Sequence, residues 1–162
     1  GGISLELVRG NLIAILPFLI MLPALNDLIG DFGSIIASHF TTLLYLKKVQ
    51  RRNWWNSPSI HNLLLTVFSV ALIAAIFMAS LAYVVAYIKG FPWHPIVYVQ
   101  LVAVSLLATL LLVTIIFTVS IIGGLYVHKK GHDPDNYLIP LATGIADLGS
   151  MLVLAYILHL LF

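Results

Sequence analysis

Four stretches of this chain are too long and too apolar to fold as anything but crossings of a hydrocarbon layer. A bilayer core about 30 Å thick is spanned by roughly 20 apolar residues in helical conformation. The runs at residues 11–46, 62–88, 95–127 and 137–162 all reach that length. They exceed the roughly 7–15 apolar residues of a signal-peptide core, so they are retained spans. Inside a membrane every backbone N–H and C=O needs a partner within its own segment, and this leaves helices as the solution for such runs. The expected fold class is all-α, a polytopic transmembrane helical bundle forming a single domain over residues 1–162, with no soluble domain between the spans. Composition agrees: 61% of the residues are hydrophobic and 9% charged, against roughly 45–50% and about 25% in soluble domains. The chain has no cysteine, which removes disulfides, thiolate metal sites and thiol nucleophiles.

The net charge of +2 does not point to nucleic acid, because the basic residues form short clusters at the membrane edges. Lys47, Lys48, Arg51 and Arg52 follow the first span, Lys89 stands alone after the second, and Lys129 and Lys130 follow the third. Positively charged loops stay in the cytoplasm. The first and third loops are therefore expected inside, and the second loop, the C-terminus and the N-terminus outside, in a multi-pass protein of the cell membrane whose partner is the lipid bilayer. An exterior N-terminus and a start at Gly1-Gly2 without an initiating Met suggest a preceding segment such as an earlier helix, and a tag-cleavage scar would look the same. Pro17 and Pro23 are expected to kink or break the first span near its start. The third span is long enough to require tilt or to project beyond the headgroups. Trp54, Trp55, Trp93, Tyr83, Tyr87, Tyr98, Tyr126 and Tyr137 gather near span ends as an interfacial belt.

The acids are the unusual feature. Of six, Glu6, Asp27, Asp31, Asp133, Asp135 and Asp147, three lie within apolar segments, while no Lys or Arg does. Each aspartate at a helix centre costs about 2.5–3.5 kcal/mol, or roughly 8–10 kcal/mol for Asp27, Asp31 and Asp147 together. At about 100° per residue, Asp27, Asp31, Ser34, Ser38, Thr41 and Tyr45 fall on one face of the first span. Asn136, Pro140, Thr143, Asp147 and Ser150 share a face of the fourth. Two helices thus carry acid-bearing polar stripes, whereas the second and third have scattered Ser, Thr and Tyr with Gln100. Protonated carboxylates bonded between packed helices are one explanation. Matched stripes without an intramembrane base favour another, a cation as the missing counter-charge.

Gly30 and Gly33 flank Asp31, and Gly144 and Gly149 flank Asp147, so both acids lie where the backbone can be crowded or locally unwound. Small residues that only allow tight packing explain the same glycines. Pro140 leaves a carbonyl without its helical donor and open to ligands. The turn Asp133-Pro134-Asp135-Asn136 has the residues that cap a helix start, with an acidic mouth as a second use. His128 and His132 straddle a turn beside two lysines and make a poor zinc site. His39 is expected to bond a neighbouring helix, and His61, His94 and His159 sit near span ends.

Two segments carry a resemblance. Leu22-Pro-Ala-Leu-Asn-Asp-Leu-Ile-Gly-Asp-Phe-Gly-Ser34, followed by Ala37-Ser38, resembles the second transmembrane helix of the MgtE-type magnesium channels and the related eukaryotic solute-carrier magnesium transporters. In that family a proline precedes a Gly-Asn-x-Gly-Ser/Thr turn. Asp133-Pro-Asp-Asn-Tyr-Leu-Ile-Pro-Leu-Ala-Thr-Gly-Ile-Ala-Asp147-Leu-Gly resembles the fifth helix, with its Asp-Pro start, Pro-x-x-Thr and pore aspartate. The second match is the more specific, and with span lengths and loop charges the resemblance covers nearly the whole chain. It implies the half-size, archaeal-like form: a five-helix subunit, four of whose spans are visible here, forming a homodimer with the ion path at the interface. Asp147 matches the pore aspartate, Thr143 the position one turn earlier, and Asn136 the polar position at the helix start. Asp31 stands where the family usually has Asn, and Asp27 is an additional acid. More carboxylate favours direct ion binding, a different divalent ion or proton coupling.

The function expected is transport of a divalent cation, Mg2+ by the resemblance, and not catalysis. Magnesium dehydrates reluctantly and is held through one or two carboxylates. Asp147 is the expected central ligand, with Thr143 and open carbonyls contacting the ion's waters and Asp31 and Asp27 adding field; Gly30 and Asn136 complete the candidate set. A proton-coupled cation exchanger on the same site is the first alternative. An intramembrane aspartyl protease is the second, echoed by Pro23-Ala24-Leu25 and Gly30-Asp31. Against it, Leu28 occupies the place of the first glycine and Pro-Ala-Leu precedes the aspartate.

Overall fold

The computed structural model describes residues 15–161, and its regular elements are four helices: α1 (Leu16–Tyr45), α2 (Pro58–Ile88), α3 (Pro95–Lys129) and α4 (Asp135–Leu161). Glu6, the first residues of the span expected from position 11, and Phe162 lie outside the described residues. All four helices are long and apolar enough to cross a membrane, and the chain is a multi-pass membrane protein.

Prolines mark where the helices begin. Pro58 and Pro95 open α2 and α3, and Pro17 lies in the first turn of α1, where the missing N–H would have had no helical partner. The start at Pro58 brings α2 in four residues earlier than apolar periodicity alone indicates. Pro23 does not break α1, which continues through it to Tyr45.

Three helices end in the same way. The residue after each cap adopts a left-handed conformation: Lys47 (φ 58°), Gly90 (φ 105°) and Gly131 (φ 80°). The next amide then reaches back to the last turn, from Lys48 to the Leu43 carbonyl at 3.0 Å, from Phe91 to Ala86 at 2.9 Å and from His132 to Val127 at 3.2 Å. This is the Schellman closure, which satisfies carbonyls the helix leaves open.

α1 and α3 form the centre, each packing on the other three helices, with α2 on one side of the pair and α4 on the other. Met21, Leu25, Ile29, Ile36 and Phe40 of α1 and Leu101, Val113 and Ile116 of α3 are completely enclosed. In lipid such contacts hold helices by dispersion and close fit, since transfer from lipid to protein is not a hydrophobic gain. α2 packs on α3 and buries Ala71, Ala75, Ala79, Ala82 and Ala86. The Ser105 hydroxyl crosses that interface to the Ala75 carbonyl at 2.9 Å. Leu65, Ile73, Phe77, Leu107, Leu111, Ile122, Leu148 and Leu152 point outward, as lipid-facing positions do. The basic loops after α1 and α3 meet at one end of the bundle, where Lys47, Arg51 and Lys129 border a common pocket.

Candidate functional site

The seam between α1 and α4 is built from small residues in register. A Cβ placed on Gly33 would lie 2.9 Å from Ala142 Cβ, and one on Gly30 would lie 3.9 Å from Ala146 Cβ. One turn further, the Ser150 hydroxyl donates to Asn26 Oδ1 at 3.3 Å. Asn26, Gly30, Gly33 and Ala37 therefore form the edge of α1 that meets α4, at the four-three-four spacing of one helical face. The expected polar stripe runs beside this edge. Asp27, Asp31 and Ser38 are exposed and Ser34 is half-buried. Thr41 instead turns under the seam, buried, its hydroxyl donating to the Ala37 carbonyl at 2.8 Å.

The stripes of α1 and α4 meet in an open cleft of about 320 Å³ that brings together Asp27, Gly30, Asp31, Thr143 and Asp147 with Asn26 and Ser34. Of the six candidate residues, five border this cleft. Asn136 does not; it is exposed on the same face of α4, about two turns nearer the basic end. Gly30 contributes a close wall, and its carbonyl already accepts the Ser34 hydroxyl at 3.2 Å. The Thr143 hydroxyl donates to the Ile139 carbonyl at 3.0 Å. Both hydroxyl oxygens thus keep lone pairs for the cleft, having given their protons to their own helices.

Asn26 is the residue that sequence reasoning missed. Its amide donates to Asp147 Oδ1 at 2.9 Å while its oxygen accepts from Ser150. The two bonds together fix the amide's orientation and hold one oxygen of the Asp147 carboxylate. An amide next to Asp27, the one Asn between Leu16 and Tyr45, was the available signal, but its position 100° off the acid stripe concealed it. Asn26 and Asp147 also border a second, more apolar opening of about 580 Å³ lined by Leu19, Leu22, Pro23, Met151 and Leu154. The pair therefore stands where the polar cleft gives way to an apolar one, on the side toward the end of α4.

Two carbonyls lie on either side of this boundary. Pro23 supplies no N–H to the Leu19 carbonyl and Pro140 none to that of Asn136. The glycines do not unwind the helices: α1 runs unbroken through Gly30 and Gly33, and α4 through Gly144 and Gly149. Gly33 and Gly149 serve contact, since a Cβ on Gly149 would collide with the Leu112 side chain of α3. Of the four glycines beside the acids, Gly144 alone has open space around it, with nothing within 4 Å.

The remaining polar residues lie elsewhere. Asp133 accepts the Asp135 amide at 3.2 Å and so caps the start of α4. His39 is exposed and bonds no neighbouring helix among the described residues, because it faces outward from α1. Tyr83 is not part of an interfacial belt; it is 3% exposed. Its hydroxyl accepts the His94 N–H at 2.7 Å and donates to the His94 carbonyl at 3.1 Å. Among the described residues no group of three or more His, Asp or Glu side chains is arranged to hold a metal ion.

Neither a curated protein nor a solved structure matches this chain. A family model does: that of MgtE, described as a divalent cation transporter, matches residues 22–157. The match takes in both acid-bearing helices and the two between them, and on this basis the chain belongs to the MgtE family of divalent cation transporters.

Proposed function

We propose that this chain conducts Mg2+ across the membrane along the cleft between α1 and α4, with Asp147 as its central ligand. The observation that carries the reading is the chemistry of the cleft: three carboxylates, two hydroxyl oxygens with their protons already committed, and no basic side chain. A hydrated divalent cation turns the O–H bonds of its waters outward. Such an ion needs acceptors around it, and this surface is made almost wholly of acceptors. Magnesium keeps most of its waters and binds through one or two carboxylates, and an open cleft has room for an ion that keeps its waters. Asp31 and Asp27 add field beside the central ligand. The open carbonyl of Asn136 offers a contact toward the basic end, and Gly30 brings the α4 wall close.

The exposed carboxylates also bear on assembly. Asp27, Asp31 and Asp147 lie on an open surface, and ionised side chains are not left against hydrocarbon. A second copy related by a two-fold axis covers this face with the same face and brings a second Asp147 to the path. We place the two basic loops in the cytoplasm and the end of α4 outside, following the distribution of Lys and Arg.

The test is Mg2+ influx into proteoliposomes holding the purified protein, with and without an imposed pH gradient. Influx that Asp147→Ala abolishes, in a protein that still elutes at the dimer size, is the expected result. Wild-type influx in Asp147→Ala would sink the assignment, and influx that follows the pH gradient would replace a channel-like path by proton-coupled exchange.

A further inference from the structure

We propose that the pocket between the end of α1 and the end of α3 binds the phosphate headgroup of an anionic phospholipid. The pocket, about 330 Å³, is lined by Lys47, Arg51, His128 and Lys129 around an apolar floor that includes Leu44 and Leu125. No acidic side chain borders it. It lies at the end of two membrane-spanning helices, the level at which headgroups meet acyl chains, and basic pockets between helix ends bind such headgroups.

The backbone supplies a second, independent observation. Of the three Schellman closures, those of α2 and α3 use glycine in the left-handed position, whereas that of α1 uses Lys47 with φ 58°. A side chain there is disfavoured, and glycine is the residue that avoids the cost. A non-glycine residue held in that region marks a place where the side chain has a use. Lys47 also borders the pocket. The neighbouring basic residues divide between tasks. Lys130 lies over the Tyr126 ring, 5.6 Å from its centroid, while Lys129 borders the pocket. The His128 ring meets Tyr45 edge-on at 5.4 Å, which fixes the pocket wall. A phosphodiester anion seated among Lys47, Arg51 and Lys129, with its glycerol and acyl chains along Leu44 and Leu125, satisfies both the charged rim and the apolar floor. Inorganic phosphate would use only the rim.

The experiment is a thermal-unfolding titration of the purified protein in neutral detergent with short-chain phosphatidylglycerol, and with phosphatidylcholine and inorganic phosphate as the other arms. Phosphatidylglycerol should raise the unfolding temperature saturably and the other two should not. Each of Arg51→Gln and Lys129→Gln should weaken the apparent affinity about fivefold, the worth of one basic residue at a membrane surface. Arg52→Gln, which removes the same charge from the same loop outside the pocket, should leave it unchanged. Lys47→Gly should unfold no earlier than wild type without lipid, yet bind about fivefold more weakly. Because Arg51 and Lys129 lie on different segments, one variant still reports if the other fails to fold. Equal weakening by Arg52→Gln, an equal shift with inorganic phosphate, or undiminished binding by the pocket variants would each overturn the proposal.

Discussion

Substituting Gly33 by Ala tests the close approach of α1 and α4, on which the geometry of the cleft depends. The added Cβ would stand 2.9 Å from Ala142 Cβ and 3.3 Å from Ile116 Cγ2. Carbon atoms pack best at about 3.5–4.0 Å. An alanine Cβ cannot swing aside, so the two backbones must part by about 3.5 − 2.9 = 0.6 Å or more. Overpacking of this kind costs about 1–3 kcal/mol, and the better helix propensity of Ala returns roughly 0.8–1 kcal/mol. Gly144→Ala is the matched control, because its Cβ meets nothing within 4 Å and it has the propensity gain alone. The two variants should therefore differ in unfolding free energy by about 1–3 kcal/mol, measured by denaturant titration in micelles, with Gly33→Ala the weaker. Asn26 lies two turns along the same edge. A parting of about 0.6 Å carried to that level would lengthen its 2.9 Å bond to Asp147 to about 3.5 Å, beyond the usual 2.7–3.2 Å range. Gly33→Ala should thus also lose ion flux. If Gly33→Ala proves as stable as Gly144→Ala and conducts as well, the reasoning about this seam is wrong.

Asn26→Ala should fold and still lower Mg2+ flux severalfold, because the bond it removes holds one oxygen of Asp147, and hydrogen bonds to charged groups are worth about 1.5–3 kcal/mol. An unchanged dependence of flux on Mg2+ concentration would count against that role. Asp31→Asn keeps the shape of the cleft but takes one charge from it, and should raise the Mg2+ concentration needed for half-maximal flux without altering thermal stability. Tyr83→Phe removes the hydroxyl that serves both backbone groups of His94 and should lower stability by about 1–3 kcal/mol, read by the same micelle titration. An unchanged midpoint would mean that solvent satisfies His94 equally well.

The parts of this molecule legible in the sequence are those governed by one-dimensional rules. Span positions follow from runs of apolar residues, and the acid faces of α1 and α4 from spacing, because three aspartates in apolar runs leave few alternatives. Residues with two neighbours to serve were harder to read. Asn26 was hidden because it lies on the packing edge among glycines, and its significance comes from Asp147 and Ser150 on a helix far along the chain. Thr41 keeps the spacing of the acid stripe but falls on the margin nearest α4, where burial and the Ala37 carbonyl claim it. Tyr83 has the sequence position of an interfacial aromatic, yet the short connection to α3 folds back over it. The glycines beside the acids were open to two readings, and contact distances at Gly33 and Gly149 favour close packing over unwinding.

The Tyr83 contact has a mechanical consequence. By holding both the N–H and the carbonyl of His94, with Phe91, Trp93 and Tyr98 set edge-on around its ring, it clamps the short link that joins α2 to α3. With the Ser105 bond to Ala75 below, the hairpin of α2 and α3 is tied at its tip and again along its length. α4, which carries Asp147, lies on the other side of the central pair and shares none of these ties.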